Sequence, residues 1–402
     1  MESPRSEAPI LHRYESPLRT PWEVKNPTAW KELTDLVSAQ GKFLPDPPTA
    51  FRGGGIIAPS SKDLAPSYAK FLESERPFAV VPVTSEPGGK LTDVVHFPTK
   101  KEDLRFDANL AAYRQNLGDY VYNHWDAQTN GPSPIPQVTN ITEIPDGRFV
   151  TTERYRGYLR GIGKGSGALG IHELDTDRIG ADELRRIVRA LDSMHPTTKD
   201  FSAWLEANDR TLPKESLLHP DNPNSTLRGK EWWTKRIDEL GSKMRFLEKD
   251  FKVLDSNFSP KEALTSMITN NLDLDADQVV VHGTLYPDNV QLARDRDGKT
   301  SGMTVMGGDR AHIGVRGEMV DWLISASAES PAHQQAIIDE FLTLHPDEKE
   351  KRGLAMHTLY RSIMEASWFQ KSKPDAYRNL IKLSYDIMNG NGVWNGVNVP
   401  SM

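Results

Sequence analysis

The chain has 402 residues, of which 37% are hydrophobic and 26% charged, so it can bury a core and is not a wholly disordered chain. A net charge of -7 with a pI near 5.9 argues against broad nucleic-acid or anionic-membrane binding. With no cysteine, disulfides, thiolate metal sites and a cysteine nucleophile are excluded.

The first residues contain no signal-like apolar core, and no stretch approaches the roughly 18–20 apolar residues a membrane helix needs. The expectation is a soluble cytoplasmic protein. Pro4, Pro9, Pro17 and Pro21 break any helix in a tail or strap running to about Val24. Asn26-Pro27-Thr28 then reads as a helix start, with Trp30, Leu33, Leu36 and Val37 on one stripe. The Pro-rich stretch Phe43 to Pro48 marks a boundary.

From Phe51 the pattern becomes strand-like. Phe78 to Val83 and Thr92 to Phe97 flank the turn signal Glu86-Pro87-Gly88-Gly89 and predict a β-hairpin. A helix is predicted from about Glu102 to Leu117, with Leu104, Leu110, Ala111 and Tyr113 inward. Ile141 to Ile144 and Arg148 to Thr152 predict a second strand pair around Asp146-Gly147.

After about Gly157 the chain reads as mainly helical. Ala181 to His195 carries Leu184, Ile187, Val188 and Leu191 at helical spacing. Glu231 to Leu254 repeats Trp233, Ile237, Leu240, Met244, Leu247, Phe251 and Leu254 at steps of four and three. Amphipathic helices follow at about Pro331–Leu344, Lys349–Gln370 and Pro374–Met388.

One loop is the most informative feature. After the apolar run Val279-Val280-Val281 comes His282-Gly283-Thr284-Leu285-Tyr286-Pro287-Asp288-Asn289. This segment resembles the catalytic loop of the aminoglycoside phosphotransferase and choline kinase-like families, which reads His-Gly-Asp-Leu-x-x-x-Asn. The resemblance covers about residues 78 to 370. It implies an α+β, two-lobed protein-kinase-like fold. The division it suggests is a tail and helix at 1–47, a β-rich N-lobe at 48–156, and a helical C-lobe at 157–402 holding the loop remnant at 282–289.

The resemblance also implies the chemistry. Phosphoryl transfer needs clamped phosphates, a held magnesium ion and a positioned, deprotonated acceptor hydroxyl. In the family a strand cation contacts phosphate, and His96, in Val94-Val95-His96-Phe97-Pro98, takes that position. The loop Asp is the base, and here Thr284 replaces it. Thr284 cannot act as a general base at neutral pH, and losing such a group commonly costs about 10²–10⁴ in rate. Asp288 lies in the same loop, either as a substitute base or as a turn residue. Asn289 matches the family's metal-binding Asn. The second metal ligand, an Asp at a strand end, is replaced by Gly307 in Met303 to Asp309. Asp309 stands two positions late, either as a displaced ligand or as a turn residue. Phe149 to Gly157 resembles the hinge that holds the adenine, with Glu153 and Tyr155 as its candidate contacts, and Leu191 to His195 resembles the helix end that follows in the family. Phe51 to Ile56 resembles a Gly-rich turn over the phosphates. Asp321-Trp322-Leu323 resembles a later Asp-Leu element.

Gly161 to Gly167 is not a P-loop, since Gly165 follows Lys164 where Ser or Thr is required. Three readings follow. One is a pseudokinase that uses the inter-lobe cleft to bind a nucleotide, another small molecule or a protein partner. The second is an ATP- and Mg2+-dependent small-molecule kinase with displaced catalytic residues. The third is a non-enzymatic helical interaction protein. The acceptor pocket is expected between Thr197 and Leu272, and nothing there singles out a substrate.

Overall fold

The computed structural model describes residues 27–44, 50–52, 55–57, 78–87, 89, 91–98, 112–125, 133–145, 149–154, 160–161, 174–175, 179–214, 216–219, 238, 247–271, 278–283, 285–294, 300–305, 308 and 310–397. Helix α1, Pro27–Ala39, starts at its proline as the sequence predicts. Strands β1 (Ala50–Arg52) and β2 (Gly55–Ile57) form a small separate ribbon.

The predicted hairpin is present as β3 (Phe78–Thr84) and β4 (Leu91–Pro98). The second pair is β5 (Val138–Glu143) and β6 (Phe149–Arg154). They join into one antiparallel sheet of order β3-β4-β6-β5. Because strand residues alternate between faces, Val95, Phe97 and Val150 point one way. Leu33 and Val37 of α1 close on them, together with Val83 and Ile144. The helix that the sequence places beside the tail is therefore built into the small lobe's core. Burying each such side chain contributes about 1.5–3 kcal/mol. Lys42, just past α1, pairs with the buried Asp93 of β4.

The predicted helix ending at Leu117 is longer at its far end. A π-helical turn, Ala112–Leu117, runs straight into α2, Gly118–His124. Tyr113 is buried as expected, while Leu104, Leu110 and Ala111 lie outside the described residues.

The large lobe contains α3 (Ala181–Ser193), α4 (Thr198–Ala207), α5 (Pro260–Asn271), α6 (Asp321–Ala326), α7 (Pro331–Leu344), α8 (Glu348–Ser372) and α9 (Pro374–Met388). It is mainly helical, as the sequence suggests, with short strands on either side of the loop. Five short strands thread it: β7 (Arg160–Gly161), β8 (Gln278–Val281), β9 (Val290–Arg294), β10 (Thr300–Val305) and β11 (His312–Val315). β9 pairs with both β10 and β7, and β8 pairs with β11. Of the Glu231–Leu254 repeat, Leu247 and Phe251 are buried, but Leu254 is 47% exposed, so the stripe fails at its last member. Trp233, Ile237, Leu240 and Met244 lie outside the described residues.

A small sheet-bearing lobe followed by a larger helical lobe, with a β-hairpin after the loop at 282–289, is the two-lobed α+β, protein-kinase-like arrangement. Among the described residues no helix is long and apolar enough to cross a membrane.

Candidate functional site

The loop begins where β8 ends. Val279, Val280 and Val281 are fully buried, which fixes the strand and delivers His282 into the interior. His282 is itself buried, with its ring edge-on to Tyr113 at 5.1 Å and 89°. Its backbone N–H donates to His195 Nε2 at 3.4 Å. His195, just beyond the end of α3, donates through Nδ1 to the Leu191 carbonyl. One nitrogen donates and the other accepts, which is the neutral imidazole. Burial holds the His195 pKa down at about 4, against smaller opposing effects from Leu191 and Asp192.

Gly283 has φ +75, and a Cβ there would lie 1.9 Å from the Arg310 carbonyl oxygen. The loop and the turn before β11 are in backbone contact at this point, so only glycine fits. Leu285 is buried, and the Asn289 N–H donates to the Tyr286 carbonyl at 2.9 Å in the short 3₁₀ turn Pro287–Asn289. Behind the loop, the Arg361 guanidinium of α8 lies 5.5 Å from the centre of the Tyr286 ring. It also reaches Asp321 at 3.6 Å and Glu365 at 3.9 Å. Burial works to lower the Arg361 pKa, and the Asp321 and Glu365 carboxylates outweigh it and raise it above the ordinary value. Asp321, the residue of the predicted Asp-Leu element, also faces His357 at 3.7 Å.

The π-helical turn packs directly against the loop. Gly308 has φ +99, and a Cβ there would lie 2.2 Å from the Tyr113 ring. Tyr113 is thus wedged between Gly308 and His282. Burial pushes its phenol pKa up, and its hydroxyl has no hydrogen-bond partner among the described residues. The next residue, Arg114, forms an ion pair with Glu153 of β6, both side chains being 3% exposed.

The sequence candidates fall as follows. His282 and Asn289 lie in the loop as expected. Glu153 lies on β6 in register with Val94 and Val138, and its carboxylate is engaged by Arg114. His96 sits in the β4 backbone opposite Val80 and Thr151. The Asp288 backbone is in the 3₁₀ turn. Thr284, Tyr155, Gly307 and Asp309 lie outside the described residues, as does 162–167 of the Gly-rich stretch. Among the described residues no three His, Asp or Glu side chains are grouped to hold a metal ion. Glu153 and Asp321 were named from sequence, but their partners Arg114 and Arg361 were not. Their only trace there is a charge at an otherwise apolar helix position, which spacing alone does not mark as buried.

No family profile matches the sequence, and neither does any curated protein. Among the solved structures to which it is similar are phosphotransferases. One is a macrolide 2'-phosphotransferase type I, 11% identical, covering 88% of this chain and 96% of that one, with a TM-score of 0.44. Another is wild-type aminoglycoside 2'-phosphotransferase-IIIa in its GDP complex, 13% identical, covering 79% and 91%, with a TM-score of 0.38. A third is choline kinase LicA from Streptococcus pneumoniae, 13% identical, covering 77% and 90%, with a TM-score of 0.37. At TM-scores below 0.5 these are likenesses only.

Proposed function

We propose that this kinase-fold protein binds a nucleotide or a similar small molecule in the cleft between its lobes and transfers phosphate very slowly or not at all. The observation that supports the reading is the packing beside the loop: a buried aromatic ring, Tyr113, fills the space against Gly308 and His282. Next to Gly308 in the sequence is Gly307, at the position where the resemblance calls for a metal carboxylate, and Thr284 holds the position of the base.

This donor set does not fit a magnesium ion. A hard divalent cation takes oxygen ligands, with carboxylates foremost, and the position that should supply the carboxylate, Gly307, carries only a hydrogen, which leaves Asn289 alone of the two ligands that the resemblance implies. What the chain does supply is a shaped loop, held by Arg361 against its Tyr286 and by Tyr113 against its His282.

Thermal unfolding with ATP, with ATP and magnesium, and with neither tests the reading. A ligand that binds only the folded state raises the midpoint by mass action. ATP is expected to raise it by the same amount with and without magnesium, and ATP consumption over sugars, amino alcohols and aminoglycosides is expected to stay at background. Turnover that disappears in Asp309→Ala would overturn the reading in favour of displaced catalytic residues. No shift with any nucleotide would remove the cleft's proposed ligand. Thr284→Asp combined with Gly307→Asp is expected to make the ATP shift magnesium-dependent.

A further inference from the structure

The segment 112–124 touches both lobes through consecutive residues. Arg114 points to the small lobe and pairs with Glu153 in the middle of its sheet. Tyr113 points to the large lobe and rests on His282 and Gly308. One turn on, Asp119 pairs with Arg210 at 2.7 Å. The Tyr120 ring then packs on Phe201 and Trp204 of α4, at 5.9 and 5.7 Å between ring centres. Residues 112–117 form a π-helical turn, whose wider winding shifts side chains off the ordinary helical faces. Such turns are rare and concentrate at functional positions.

We propose that this segment is a rigid brace that fixes the spacing of the two lobes, so that a ligand enters the cleft without hinge closure. The physical ground is that neither contact has a halfway state. Sliding Arg114 off Glu153 separates two opposite charges that are both buried, which is strongly unfavourable. Shifting Tyr113 drives its ring into the Gly308 backbone, and close-packed interiors are bistable rather than continuously deformable. The inference is independent of whether the cleft transfers phosphate.

The chain has no cysteine of its own, so two spin labels can be placed without background. Glu143, at the end of β5, and Ala332, at the start of α7, are both exposed. In the full-length Glu143→Cys/Ala332→Cys protein, the distribution of label distances measured by pulsed dipolar spectroscopy is expected to be a single narrow peak. Tyr113→Phe keeps the ring and is expected to leave its width unchanged. Arg114→Met is expected to at least double the width. Should that variant fail to fold, Arg114→Met with Glu153→Met removes both charges while keeping bulk, and the same broadening is expected. A broad or two-peaked distribution in the parent overturns the brace, and so does an unchanged width in either folded Arg114 variant.

Discussion

Gly283→Ala isolates the geometry on which the loop depends. Gly283 has φ +75, where an L side chain costs about 1–2 kcal/mol. The added Cβ would also lie 1.9 Å from the Arg310 carbonyl oxygen and 2.9 Å from His312 Nδ1. The obstacle is backbone, held by β11 against β8, so it cannot swing aside as a side chain tip would. Forcing atoms into such a place costs a further 1–3 kcal/mol, roughly. The variant should therefore lose about 2–5 kcal/mol. Gly392→Ala is the matched control in the same lobe, with φ +61 and nothing within 4 Å of its Cβ. It bears the left-handed strain but no collision. The gain from stiffening the unfolded chain is common to both and cancels. Urea unfolding at one temperature gives the two losses, and their difference measures the contact with Arg310. Equal losses in the two variants would refute the close approach of loop and turn.

Two further outcomes follow from buried charge. Arg114→Met alone should lose about 3–5 kcal/mol in urea unfolding, because the buried Glu153 carboxylate loses the guanidinium it faces, while the double Arg114→Met/Glu153→Met should recover most of it; equal losses would mean that the pair is not what the cost reports. For His195 the folded pKa of about 4 lies below the ordinary 6.5, so the unfolded chain takes up the proton first. Its contribution is full above pH 6.5 and is lost as pH falls toward 4, by roughly 3 kcal/mol in all. Comparing unfolding from pH 7 down to 4 in the parent and in His195→Asn checks this, and an identical slope in both would exclude His195 as its source.

Much of the fold is legible in the sequence where local signals and tertiary packing agree. Pro374 and the stripe that follows it mark α9 at both ends. The Glu86 to Gly89 turn and its apolar flanks mark the β3–β4 hairpin. Legibility fails where packing overrides the local signal. A glycine after Leu117 resembles a helix stop, yet Gly118 continues the helix, and an added Cβ there would already touch Ile135 at 3.4 Å. Short strands such as β11, with a glycine among its four residues, are too brief for periodicity and exist because β8 pairs with them. The heptad-like run ending at Leu254 carries one apolar residue past the surface it covers. The loop was visible because its pattern is compact. Tyr113 was visible as an inward residue, but nothing local says which surface it meets.

The residues that make the loop recognisable are also those with packing duties. His282 is buried against Tyr113, Gly283 is required by the Arg310 carbonyl, Leu285 is in the core, and Asn289 closes a 3₁₀ turn through its backbone. Each of these demands holds whether or not a phosphate ever moves. The departures, at Thr284 and Gly307, fall at the positions whose family residues serve chemistry. The His, Gly and Leu of the pattern are thus tied to the packing of the turn from β8 to β9, whereas the bond made by Asn289 is one that any residue's backbone N–H would make. The pattern's presence supports the architecture and does not by itself support catalysis. That separation is why the decisive measurements are the magnesium dependence of ATP binding and the effect of Asp309→Ala on turnover. Both bear on the carboxylates alone and leave the packing of the loop untouched.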